Sequence, residues 1–205
     1  EKTGLIIPIG NWVIDEACRQ LREWHLQGHT DWSMAVNLST LQFEQPSLVK
    51  TVLDCLTRHS VPLGMLILEV TETTAMNNPD ESVRVLTALT DAGVKASIDD
   101  FGTGYSSLLY LKRLPACELK IDRAFVKELS GESEDATIVS AIVALAKTLN
   151  LKVVAEGVET AAQQTFLTEL GCNTLQGYLL GKPITAQAIM EQCQHGEMSP
   201  PRAQS

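Results

Sequence analysis

An α/β fold assembled from stacked βα units is what this sequence predicts, and three observations predict it. Strand-like and helix-like segments alternate from one end to the other. No linker interrupts them. Right-handed crossovers allow such a chain either an open doubly wound sheet or a barrel, and the glycine-rich turn expected after the first strand of a dinucleotide-binding sheet is absent. A TIM-like (β/α)8 barrel typically takes about 250 residues. The 205 residues present therefore predict a barrel lacking about its first two strands.

Residues 11–27 carry apolar positions at Val13, Ile14, Ala17, Cys18, Leu21 and Trp24, a helical spacing that stops at Gly28. Ser33–Leu38 reads as a strand, 47–58 as a helix, and Met65–Val70 as a nearly continuous apolar strand of the kind buried on both faces. Asn78-Pro79-Asp80-Glu81 opens the next helix with an N-cap, a proline at the first helical position and acidic residues at the positive dipole end; Gly93 closes it. Strands follow at Val94–Ile98, Cys117–Ile121, Lys152–Ala155 and Asn173–Gln176, with helices at 135–149, up to Gly171, and at 185–193. Residues 1–195 are expected to form one domain and 196–205 a disordered, Pro- and Ser-bearing tail.

An apolar content of 44% lets the chain bury a sizeable core. Five cysteines without close pairing or Cys-x-x-Cys spacing argue against a disulfide framework and for a reducing compartment. No apolar run approaches the roughly 20 residues of a membrane span, and no secretory signal opens the chain. The expectation is a soluble, cytoplasmic chain, possible tethering being left to upstream segments. It starts at Glu1, without methionine, which predicts a piece of something longer. A net charge of -9 disfavours a nucleic-acid polymer as partner, since backbone-led binding needs clustered cations. A small anionic substrate stays compatible, because divalent ions held by carboxylates make a pocket locally positive.

Each strand carries a polar residue at or near its carboxyl end, where barrel enzymes place their chemistry: Asn37, Glu69, Asp99 with Asp100, Lys120 with Asp122, Glu156 and Gln176. Any one alone is more often a helix N-cap or a core ion pair; six in succession are hard to explain so. Carboxylates and an amide oxygen are hard ligands suited to Mg2+ or Mn2+ rather than zinc. Two such ions about 3.5–4 Å apart can activate water and stabilise the leaving oxygen of a phosphodiester, and the adjacent Asp99 and Asp100 suit bridging and terminal roles. The four histidines lie away from the strand ends and are expected at the surface.

Val36-Asn37-Leu38-Ser39, Leu68-Glu69-Val70-Thr71-Glu72, the run Asp99-Asp100-Phe101-Gly102-Thr103-Gly104-Tyr105-Ser106-Ser107, Leu119-Lys120-Ile121-Asp122, Ala155-Glu156-Gly157-Val158-Glu159-Thr160 and Gln176-Gly177-Tyr178 resemble the ordered motif series of the EAL family. The resemblance covers residues 1 to about 193. It implies the barrel fold, metal-dependent hydrolysis of cyclic di-GMP to linear pGpG in bacterial second-messenger signalling, and two ions, Mg2+ or Mn2+. Carried over by motif, Asn37, Glu69, Asp99, Asp100 and Glu156 are metal ligands. Catalysis falls to Glu156, Lys120 and Asp100, with Lys120 orienting water or meeting phosphate. Lys120, Asp122 and Gln176 serve substrate binding, and Glu72 anchors the Asp-Asp-Phe-Gly-Thr-Gly loop, after which Ser106 and Ser107 can cap a helix. A homodimer and an upstream sensory or regulatory domain are implied as partners.

One departure stands out: the Glu-Ala-Leu signature and the arginine after it are not in this sequence. The expectation for the chain taken alone is an incomplete metal shell and impaired activity. Two other classes stay open, a non-catalytic cyclic di-GMP receptor or protein-interaction module, and a Schiff-base aldolase built on Lys120.

Overall fold

The computed structural model describes residues 4–104, 107–129 and 133–194. Six parallel strands lie side by side in chain order: β1 (Met34–Asn37), β2 (Leu66–Thr71), β3 (Lys95–Phe101), β4 (Glu118–Ile121), β5 (Lys152–Ala155) and β6 (Thr174–Leu175). A doubly wound sheet reverses its strand order at some point. This one never does, so every crossover runs the same way and the sheet curls into a half-barrel. Helices α1 (Ile6–Leu26), α3 (Leu48–His59), α5 (Pro79–Asp91), α8 (Glu134–Thr148), α9 (Ala161–Leu170) and α10 (Ala186–Gln194) alternate with the strands. The one-turn helices α2 (Thr40–Phe43), α4 (Glu72–Asn77), α6 (Leu108–Leu111) and α7 (Arg123–Lys127) sit in the loops after β1 to β4.

Period-two alternation divides the sheet into two chemically distinct faces. Leu66, Leu68 and Val70 of β2, Ala96 and Ile98 of β3, Leu119 and Ile121 of β4, and Val153 and Ala155 of β5 are at most 1% exposed and belong to one continuous core with the helices. Truncating one such leucine or isoleucine to alanine costs about 2–5 kcal/mol. The intervening residues, Glu69, Ser97, Asp99, Glu118 and Lys120 among them, point to the concave face, and there the pattern is polar. Ile67 lies on that face only half-buried. The reading of Met65–Val70 as apolar on both sides is therefore corrected: one side of β2 faces the barrel interior.

The caps show why the helices start where they do. Ser39 and Thr160 each form a capping box, with Gln42 and Gln163, after β1 and β5, so the chain turns out of the strand with its orphan amides satisfied. Asn78 takes the N-cap position of α5 with Pro79 first in the helix, yet its side chain makes no capping bond. Ser107 likewise precedes α6 without a side-chain cap bond, and Ser106 lies outside the described residues, as does the expected tail 196–205. Of the four histidines expected at the surface, His195 lies outside the described residues and His25 does not fit. His25 is 7% exposed, its Nε2 2.7 Å from the Trp32 carbonyl oxygen, because the last turn of α1 packs inward beside Trp24. No helix among the described residues is long and apolar enough to cross a membrane.

Candidate functional site

The concave face gathers its charge at the carboxyl ends of β2 to β5. Lys120 of β4 stands at the centre, its side chain 5% exposed, with Nζ 2.7 Å from Glu156, 2.8 Å from Glu69 and 3.2 Å from Asp99. Asp99 lies on the adjacent strand β3, Glu69 on β2 beyond it and Glu156 directly after β5, so the parallel register itself assembles the cluster. Burial works against the ammonium, but the hydrogen bonds it donates to Glu156 and Glu69 outweigh it and hold the Lys120 pKa above the usual lysine range. Burial also pushes the Glu69 carboxyl up, with Lys120 pulling the other way. An ammonium ringed by three carboxylates argues against the Schiff-base reading, since that chemistry needs a free amine.

A β-bulge brings in the fourth carboxylate. Between Ile98 and Phe101 strand β3 has one residue more than the Leu119–Ile121 stretch of β4 opposite. The surplus is taken up at Asp100, whose φ of 52° lies in the left-handed region that a short polar side chain tolerates. Asp99 and Asp100 therefore both reach the cluster, where strict alternation would place them on opposite faces. Asp99, Asp100 and Glu156 each offer a carboxylate oxygen within 4.8 Å of the other two. Burial, then the Asp99 charge, then Asp122 push the Asp100 carboxyl up to about 6.

The remaining expected residues take different places. Asn37 ends β1 in register with Glu69 and is exposed. Asp122 caps α7, its Oδ1 accepting from the Ala124 amide at 2.7 Å. Gln176 is exposed after β6 and lines a cavity of about 210 Å³ with Glu156, Arg123, Gly157, Glu159, Gly177 and Tyr178. Glu72 is 2% exposed; its Oε2 accepts from the amides of Gly102 at 2.8 Å and Gly104 at 3.4 Å. A Cβ on Gly104 would lie 3.0 Å from the Glu72 carboxylate, so the loop passes as close to that anchor as glycine allows. A cavity of about 790 Å³ lies along the outer edge of β6 around Leu180 and Ile184 and reaches the site residues at Gln176.

Sequence reasoning passed over Arg123. It follows Asp122 directly, and the signal for it is Gly157: with φ at +72°, a Cβ there would come 2.6 Å from the Arg123 Cβ. The backbone next to Glu156 is thus pressed against the arginine stem.

Fold and site together define a parallel βα-barrel protein with a cluster of carboxylates around a lysine at the carboxyl ends of its strands. The EAL domain family model matches residues 1–183, and the chain belongs to that family. The bifunctional diguanylate cyclase/cyclic di-GMP phosphodiesterase MucR of Pseudomonas aeruginosa is 65% identical over 190 residues, 93% of this chain and 28% of MucR. The solved structure of the PaMucR phosphodiesterase in complex with c-di-GMP matches with a TM-score of 0.90 at 65% identity, over 92% of this chain and 76% of that one. BlrP1 of Klebsiella pneumoniae, solved as a manganese/cyclic-diGMP complex, matches with a TM-score of 0.77 at 31% identity, over 88% of this chain and 45% of that one. The chain spans 24–28% of the length of MucR and of the next curated relatives it matches.

Proposed function

We propose that this chain supplies the hydrolytic site of a cyclic di-GMP phosphodiesterase that releases linear pGpG. The observation that carries the reading is the convergence of Asp99, Asp100 and Glu156 within 4.8 Å, beside a lysine that is itself buried among carboxylates. Such a donor set fits a hard divalent cation: all oxygen, net negative and partly open to solvent. Asp99, Asp100 and Glu156, with Glu69 and Asn37, would hold Mg2+ or Mn2+, and two ions suit an Asp pair that offers four oxygens. When bound, the ions supply positive charge against the phosphodiester and favour ionisation of water.

The protein's own groups do the rest. Lys120 keeps a positive charge fixed on the concave face and orients the attacking water or meets a phosphate oxygen. Asp122 and Gln176 border the substrate space, and Glu72 fixes the loop that follows β3. The same reading places the chain in the cytoplasm, in a homodimer, under an upstream sensory or regulatory domain; the length of the relatives beyond the matched region supports that last point.

The test uses the full protein that carries this chain, with product chromatography beside calorimetry. Mg2+ or Mn2+ should support pGpG release. Ca2+ should support cyclic di-GMP binding without cleavage, because it takes oxygen ligands at longer distance and in looser geometry. Binding with no product under any of the three ions would instead make the chain a receptor, and rapid pGpG formation in Ca2+ alone would contradict the assigned metal chemistry.

A further inference from the structure

Most arginines of this acidic chain are paired: Arg19, Arg58, Arg84 and Arg113 each meet a carboxylate within 2.9 Å. Arg123 and Lys127 have no carboxylate within ion-pair distance among the described residues. They stand four apart on α7, hence on one face, and together with Gly157 and Glu159 line a cavity of about 380 Å³. Arg123, Gly157 and Glu159 line the neighbouring cavity too, the one that contains Glu156. The contact between Gly157 and the Arg123 stem makes this proximity a built feature, since no larger residue at 157 leaves the arginine where it is.

We propose that Arg123 and Lys127 form an anion subsite next to the reaction centre that takes a second phosphate group of the dinucleotide; this rests on the cyclic di-GMP reading. In the hydrolysis, a water oxygen bonds to one phosphorus, the bond from that phosphorus to the 3′-oxygen breaks, and the 3′-oxygen takes up a proton. The product then carries one intact phosphodiester and one new 5′-terminal phosphomonoester. Both are phosphate oxyanions that an unpaired guanidinium and ammonium recognise. Glu159 shares the cavity as a single opposing carboxylate, leaving the wall net positive by one charge in a protein of net charge -9. A phosphate adjoining the carboxylate cluster needs a cation of the protein's own, and these two are placed to provide it.

The experiment compares the full protein with its Arg123→Ala/Lys127→Gln variant. Alanine keeps the Cβ against which Gly157 packs, and both positions are exposed, so the fold should hold; Arg123→Lys should restore part of the effect. Binding of cyclic di-GMP in Ca2+, of pGpG and of GpG is measured by calorimetry, beside kcat and KM for pGpG release in Mg2+. If the intact phosphodiester occupies the subsite, all three ligands weaken roughly tenfold and KM rises with kcat kept. A loss confined to pGpG, with GpG unchanged, would put the reacted phosphate there instead and overturn the second-phosphate assignment. Affinities and KM all within twofold of the parent, in a protein that still cleaves cyclic di-GMP, would overturn the subsite alone. A parent protein that neither binds nor cleaves cyclic di-GMP would overturn the phosphodiesterase reading and the subsite with it.

Discussion

Two charge clusters of the molecule use the same chemistry at very different depths. At the junction of α1 and α3, Asp15 Oδ1 lies 2.5 Å from Arg58 and 2.9 Å from His59, with side chains 36%, 60% and 17% exposed. On the concave face, Lys120 lies 2.7–3.2 Å from three carboxylates, but the exposures are 5–19%. Water screens the first and leaves it with about 0–1 kcal/mol. The second holds one ammonium against three carboxylates with little solvent. The difference teaches that distance alone does not rank these pairs. The buried cluster is tense because its charges do not balance, and an imbalance of that sign is what a divalent cation relieves.

Lys120→Met is the strongest way to break the comparison. Removing the only cation leaves Glu69, Asp99 and Glu156 buried together, and urea denaturation should show a loss of about 3–5 kcal/mol at neutral pH. The carboxylates left behind would have pKa values raised above their unfolded ones, so the folded state of the variant would bind more protons. Stability then falls as pH rises, and the deficit should shrink on acidification. A loss below about 1 kcal/mol at pH 7, the range of exposed pairs, would show that solvent screens the two clusters alike.

Asp99→Asn comes next and sharpens the charge argument. Asn keeps the oxygen that accepts from the Asp100 amide at 3.0 Å, while the ratio around Lys120 drops from three carboxylates to two. The full protein should fold with an equal or higher Tm and hydrolyse cyclic di-GMP at least about a hundredfold more slowly, as losing about 2.7 kcal/mol of transition-state stabilisation implies. Near-parental turnover would take Asp99 out of the metal site.

The smallest effect belongs to Asp15→Asn. The hydrogen bond with His59 comes first among the causes that hold the Asp15 carboxyl below its ordinary value of 3.8, with Arg58 assisting. A depressed carboxyl contributes stability that is present above the unfolded pKa and lost as pH falls through the folded one. The variant should therefore differ from the parent by at most about 1 kcal/mol at pH 7 and by nothing measurable at low pH. A larger gap that persists in acid would mean that Asp15 acts through packing rather than charge.

The sequence disclosed the alternation of strands and helices because each long helix carries a 3.6-residue pattern and each core strand a run of branched residues. Strand ends were legible through Asn37, Glu69, Lys120 and Glu156, which break apolar context where a barrel exposes its chemistry. The one-turn helices α2, α4 and α7 escaped, since four to six residues are too few to show a period. Strand β3 runs three residues beyond the expected Ile98, because a bulge at Asp99-Asp100 cannot be told from a strand end by pattern alone. His25 looked like a surface group because nothing local announces that Trp32 folds back over it. Arg123 was missed for a related reason: its partner is a glycine more than thirty positions away, which has no side chain to advertise the contact.

The bulge in β3 also works as a phase slip. Upstream of it, side chains alternate in step with β2; downstream, Phe101 rejoins the core one residue late. Adding or removing a single residue within β3 would therefore either erase the slip, sending one aspartate to the helix side, or double it and expose Phe101. The segments between elements carry no such constraint, whereas this strand has a fixed residue count as part of its specification.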